Sequence, residues 1–304
     1  QALTSLMWSG VNLFFIASGF INGKNFIFCK SIKQFIIKRI ARIAPLYFIF
    51  ILIGVIFFNK GYQFFYSENY DLIIPLLFLS GVDFIKQDLG PAYFSITWTL
   101  SVEIQLYLLT VFLLIIKKSK TRFRLCAALF FISLVAPHLT TEFSHFGFIM
   151  HVDEYLAGVF IRYIFENKFY FKIKILESIH FEYYWIVIPF ATYLLKFDLS
   201  FENAIFDSIL LLFYTSLFYF ILKFDLIKLK YFNTIGVNCY FIYLFHMVIF
   251  YAFLEVFNYF SFFGHSMIIV LLSFVITFIL SIISMKYFEI PSRLGLIKLL
   301  SKTK

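Results

Sequence analysis

The sequence predicts an all-α, polytopic transmembrane bundle with about nine spanning helices. Three observations predict it. Of 304 residues, 62% are hydrophobic and 14% charged, with mean hydropathy +0.90, whereas a soluble domain is roughly 45–50% apolar and about 25% charged. Apolar stretches close to the roughly 20 residues that cross a bilayer recur along the whole chain. The basic residues behind the net charge of +9 fall in short clusters between those stretches. That is the pattern of cytoplasmic loops, not of a nucleic-acid-binding stripe. No Pro/Gly/Ser linker divides the chain, so residues 1–304 read as one membrane domain with no fused soluble domain.

The apolar segments, in order, are 4–22, 43–58, 93–116, 125–140, 146–165, 183–197, 205–222, 235–257 and 266–288. The second begins behind Arg42, with Pro45 in the first helical turn, where proline is tolerated. The third is the longest early span and carries Glu103 near its centre. The seventh starts beside Asp207, expected in solvent at an outer helix end. The stretch 72–85 is too short to span and contains Pro75 and Gly81, so it reads as re-entrant or interfacial. Some of the 20 Tyr and 3 Trp are expected as interfacial anchors. Cys29, Cys126 and Cys239 stand far apart in no metal-ligand spacing and read as free thiols.

Five basic clusters then orient the chain: Lys24–Arg42, Lys117–Arg124, Lys168–Lys174, Lys223–Lys230 and the tail from Arg293 to Lys304. If 72–85 does not cross and the other nine segments do, all five fall on one side. The positive-inside rule makes that side the cytoplasm and places the C-terminus there. The first helix then runs inward from outside. The chain also does not begin with Met, and together these predict a further in-to-out helix before Gln1.

Glu103 is the most informative residue. A carboxylate at mid-membrane costs roughly 2.5–3.5 kcal/mol on insertion scales, faces the protein interior by default and marks a site. Trp98, Ser101, Gln105 and Tyr107 surround it with polar handles. Glu103 lies roughly 21 Å along its helix from the cytoplasmic end and His246 roughly 18 Å along its own, so the two can meet at similar depth. A carboxylate beside an imidazole raises its basicity and sets its tautomer. A lone His on a backbone carbonyl is the equally weighted structural reading of His246. Lys38, Arg39 and Arg42 precede the second span. Arg39 and Arg42 share a helix face, and paired guanidinium forks suit bidentate phosphate binding. Anchoring to lipid headgroups explains them as well. His138, His145, His151, Asp153 and Glu154 cluster near an outer loop in no convincing ligand spacing, so no metal is expected. His151 and Glu154 share a face and can line an outer vestibule. Arg162 reads as a snorkelling residue.

The motifs together resemble one family. Val11-Asn-Leu-Phe-Phe-Ile-Ala-Ser18-Gly-Phe20 resembles the FFxxSGF signature of the bacterial integral-membrane type 3 acyltransferases. Arg39-Ile-Ala-Arg42-Ile-Ala-Pro45-Leu-Tyr47 is similar to RxxRIxPxY, and Trp98-Thr-Leu-Ser101-Val-Glu103-Ile-Gln105-Leu-Tyr107 to WSLSxExxFY. Gly236-Val-Asn-Cys-Tyr240-Phe-Ile-Tyr243-Leu-Phe-His246 is similar to GxxSYxxYLxH, and Tyr287-Phe-Glu289-Ile-Pro291 to the closing xxExP. The resemblance implies ten helices, an inner-membrane location and O-acylation of surface sugars or polysaccharide precursors by acyl-CoA from the cytoplasm, with acetyl the expected acyl group. It makes Glu103 a member of the catalytic centre, with His246 beside it. It makes Lys38, Arg39 and Arg42 the grip on the CoA phosphates, and Ser18, Trp98, Ser101 and Tyr107 the lining of the substrate pocket. The family's catalytic His lies on the helix before FFxxSGF, and residues 1–10 contain no His. A transporter or flippase of a lipid-linked sugar, and an inactive envelope scaffold, are the alternative readings.

Overall fold

The computed structural model describes residues 10–28, 31–58, 76–79, 96–139, 147–166, 203–223, 230–259 and 266–302. Residues 1–9, Pro75, Gly81, His145, the third basic cluster and the segment 183–197 lie outside the described residues. So do Cys29, Lys30, Lys228 and Lys304.

Every described element is helical: α1 (Gly10–Phe28), α2 (Ile32–Phe58), α3 (Thr97–Ile115), α4 (Ser119–Leu139), α5 (Val152–Glu166), α6 (Asn203–Lys223), α7 (Lys230–Tyr259), α8 (Ser266–Ser284) and α9 (Ile290–Lys302). A single 3₁₀ turn precedes α5, and a π turn, Met285–Glu289, joins α8 to α9. By length and apolarity alone, Thr97–Ile115, Gly236–Phe257 and the continuous stretch Ile268–Lys302 are long enough to cross a membrane. The protein is an all-α, multi-pass membrane protein.

The described residues form two compact units. The first contains α1, α3 from Thr99, α4, α5 and α6. Its centre is the crossing of α1 and α5, which is possible only because the contact positions lack side chains. A Cβ on Gly19 would stand 1.9 Å from the Tyr155 carbonyl oxygen, and one on Gly158 2.0 Å from that of Ile16. Gly23, one turn beyond Gly19, lies against Cβ of Arg162. Small residues four apart let membrane helices approach this closely, which packing in lipid rewards in place of a hydrophobic drive. Around the crossing, Ile16, Ala157, Ile161, Leu211 and Tyr214 form a buried cluster. The Arg122 guanidinium donates to the carbonyls of Phe26 and Ile116, satisfying groups near the C-terminal ends of α1 and α3.

The second unit contains α2, α7, α8 and α9 with Trp98 and the residues just before it. Helix α2 starts eleven residues ahead of the expected segment. The hydroxyl of Ser31 accepts from the Gln34 amide at 3.4 Å, and Phe35, Ile37 and Ala41 bury a face that carries the basic sequence into the helix. Pro45 therefore stands mid-helix, not in the first turn. It takes away the amide that would bond the Ala41 carbonyl; two residues on from Ala41, the Ile43 carbonyl accepts the Tyr240 hydroxyl at 2.9 Å. Helix α8 is patterned inside out. Ser273, Thr277 and Ser281 are buried in one stripe, each returning its hydroxyl to its own helix, while Leu271, Phe274 and Val275 are exposed. A helix that faces lipid hides its small polar residues and shows its apolar ones. Pro291 cannot donate to the Tyr287 carbonyl, and the π turn ends two residues before it, with the Ile290 amide bonded to the Met285 carbonyl. Within the stretch expected to be re-entrant, residues 76–79 form a short turn in which Phe78, at φ 57°, stacks on Tyr47 at 4.4 Å.

Candidate functional site

Helix α3 buries one face, comprising Val102, Glu103, Leu106, Tyr107, Thr110 and Leu113. Glu103 is thereby held among apolar side chains, 9% exposed. Its stabilisation is local and specific. The Tyr107 hydroxyl, one turn along the same helix, donates to Oε1, and the Ser18 hydroxyl of α1 donates to the same oxygen at 3.2 Å. The Ser18 oxygen in turn accepts from Nδ2 of Asn22 at 3.4 Å. The polarity of this chain follows from proton count: a serine has one proton to give, it goes to Glu103, and so the Asn22 amide must donate. Two hydroxyl donors on one oxygen suit an ionised carboxylate. Oε2 of Glu103 carries no hydrogen bond among the described residues, which leaves it open to a reacting group. Gln105 turns away from this centre and donates to the carbonyl and hydroxyl of Ser101.

Phe15 lies on the same stripe of α1 as Ser18, about 4.5 Å of helical rise away. Its ring stands 4.6 Å from that of His151. His151 Nδ1 is 2.9 Å from Glu154 Oε2, both side chains being nearly sealed from solvent. The pair read from the sequence as sharing a face is thus a hydrogen-bonded dyad in the interior of the first unit. Thr110 and Tyr155 exchange a 2.5 Å hydrogen bond that ties α3 to α5. Arg162 lies over the Phe20 ring at 4.9 Å and pairs with Glu166, its stem packed as a snorkelling arginine would have it. The helices carrying His138 (α4) and Asp207 (α6) are described, but these two side chains lie outside the described set.

In the second unit, Lys38 and Arg42 are exposed and Arg39 is half-buried, its guanidinium 5.3 Å over the Phe35 ring. The Glu289 carboxylate lies in the field of Arg42 and Arg293 and accepts the Ser284 hydroxyl at 3.1 Å. The second and last motifs therefore meet: the arginine helix α2 and the π turn ahead of α9 hold opposite charges near each other. His246 points Nδ1 at the carbonyls of Tyr243 and Ile242, at 2.6 and 3.2 Å. Nδ1 must then carry the proton, and Nε2 is left as an acceptor. Tyr243 donates to the Ile96 carbonyl at 2.9 Å, just before the buried Trp98.

Of the expected site residues, Ser18, Glu103 and Tyr107 are joined directly, and Ser101 lies buried in the same helix. Trp98, His246, Lys38, Arg39 and Arg42 belong to the second unit. Sequence reasoning passed over Asn22, although an amide four residues from Ser18 on an otherwise apolar helix is a signal of the same kind as Glu103.

A family model described as an acyltransferase domain, of the type 3 acyltransferases, matches residues 5–286. The match takes in four of the five motifs; the closing Glu289-Ile-Pro291 lies just beyond it. No curated protein and no solved structure gives a significant match.

Proposed function

The chain belongs to the type 3 acyltransferase family of membrane acyltransferases, and from that premise we propose that it moves an acetyl group from acetyl-CoA to a hydroxyl of a cell-surface sugar or lipid-linked polysaccharide precursor. The observation that carries this reading is the interior carboxylate of Glu103, with one oxygen fixed by Ser18 and Tyr107 and the other without a hydrogen bond among the described residues. In the reaction the acceptor oxygen attacks the thioester carbonyl and the C–O bond forms. The C–S bond then breaks, and the hydroxyl proton ends on the departing thiol. Glu103 assists that proton transfer, at Oε2 itself or through an imidazole bonded there, and its negative charge stabilises the cation the imidazole becomes. The family resemblance places that imidazole on the helix before FFxxSGF, while His246 presents Nε2 as its basic nitrogen within the second unit. Lys38, Arg39 and Arg42 hold the CoA phosphates on the cytoplasmic side, and Ser18, Ser101 and Tyr107 of the first unit line the substrate pocket. The setting is a bacterial inner membrane, with the C-terminus in the cytoplasm.

The test is acetyl transfer by the purified protein from labelled acetyl-CoA. Glu103→Gln keeps the shape and both hydrogen bonds to Oε1 but removes the charge. It is expected to lower the rate by roughly 10²–10⁴-fold, the usual worth of a positioned acid–base group, with the yield of folded protein unchanged. Turnover near the wild-type rate would refute the assignment.

A further inference from the structure

The hydrogen-bonded chain at Glu103 ends on an atom that finds no partner among the described residues. Asn22 is fully buried, its Nδ2 is spent on Ser18, and its Oδ1 has no hydrogen-bond partner among the described residues. Exchanging the two amide atoms does not cure this, because Ser18 has already given its proton to Glu103 and can only accept. A sealed amide oxygen without a donor is costly, and a leucine of nearly the same size would avoid the cost. The position has the character of a subsite that waits for an N–H.

Two further observations say which N–H. Asn22 is one helical turn from Ser18 in the direction of the C-terminal end of α1. Lys24 lies at that end, Arg122 donates to the Phe26 carbonyl there, and Arg162 packs on Gly23. A donor entering at that end would meet Asn22 before it meets Ser18 and Glu103. The spacing also fits. Ser18 and Asn22 are separated by about 6 Å of rise. In an extended acyl-pantetheine arm the first amide nitrogen follows the thioester carbonyl by four bonds, about 5 Å at the roughly 1.2 Å that an extended chain advances per bond.

We propose that Asn22 Oδ1 accepts the thiol-proximal amide N–H of the pantetheine arm, setting the depth at which the thioester carbonyl stops beside Glu103. This rests on the acyl-CoA reading above. Asn22 is then a donor-binding residue that makes the site read the arm, not only the acyl group.

The test uses the intact protein in detergent, with S-acetylpantetheine and an amide-free alkyl thioacetate of equal length as donors. Asn22→Leu is expected to lose kcat/KM for S-acetylpantetheine about tenfold more than for the alkyl thioacetate, the cost of stranding one buried amide. Its thermal midpoint without ligand is expected to equal or exceed that of the wild type. Asn22→Ser, which keeps an acceptor on a shorter stem, is expected to fall between. Equal losses with both donors, or a lowered midpoint with unchanged donor preference, would overturn the proposal and make Asn22 a packing residue. A wild-type protein that binds neither coenzyme A nor either thioester would instead remove the acyl-CoA reading, and the proposal with it.

Discussion

Replacing Gly158 by alanine tests whether the crossing of α1 and α5 holds the first unit together. The added Cβ would lie 2.0 Å from the Ile16 carbonyl oxygen and 2.7 Å from the Phe20 amide nitrogen, where ordinary contact begins near 3.4 Å. Both neighbours are backbone, so no side chain can swing aside. The helices must separate by about 1.4 Å or shift along each other. Alanine favours helix over glycine by up to about 1 kcal/mol, while forced overpacking costs about 1–3 kcal/mol, occasionally more. With backbone on both sides the upper end applies, leaving a net loss of about 2 kcal/mol. The same displacement stretches the 3.2 Å bond from Ser18 to Glu103, so acyl transfer should fall with stability. The assay is denaturant unfolding of the purified protein in micelles, followed by circular dichroism. Gly295→Ala is the control, since nothing lies within 4 Å of the added Cβ there, and it should be neutral or stabilising. A Gly19→Ala, Gly158→Ala double variant should lose less than the sum of its parts, because the first substitution already parts the helices. If Gly158→Ala proved as stable as Gly295→Ala, the close-crossing argument would be wrong.

Tyr107→Phe removes one of the two donors to Glu103 Oε1; a hydrogen bond to a charged group is worth about 1.5–3 kcal/mol, so acetyl transfer should drop roughly tenfold or more with little change in KM for acetyl-CoA. Replacing Arg39 and Arg42 together by Ala should raise KM for acetyl-CoA and leave kcat nearly unchanged; a loss confined to membrane insertion would favour headgroup anchoring instead. Ser281→Leu places a large side chain in the buried polar stripe of α8 and should destabilise the second unit by about 1–3 kcal/mol, whereas Ile283→Leu, on the exposed face, should be silent in the same unfolding measurement.

Composition, apolar run length and the placement of basic residues are properties of short stretches, and they determined the class of this protein. An all-α membrane chain follows from its 62% hydrophobic content and its interrupted apolar segments, and the five motifs carried the family resemblance that the match over residues 5–286 bears out. The functional weight of Glu103 was legible too, since a carboxylate on a spanning helix has a cost wherever its neighbours lie. Element ends were less legible. Pro45 suggested a helix start, and the burial of Phe35 and Ile37 overrode it. Tertiary structure alone decided the partners. Ser18 and Glu103 are 85 residues apart, and neither sequence neighbourhood names the other. Gly19 and Gly158 look like ordinary helix-weakening residues until the backbone of the opposite helix is seen where a Cβ would go. Asn22 reads as one polar residue in an apolar helix until its oxygen is found buried without a donor among the described residues. Local sequence sets what each helix costs to place in a membrane. Which oxygen accepts which proton depends on distances between helices, and these exist only once the helices have packed.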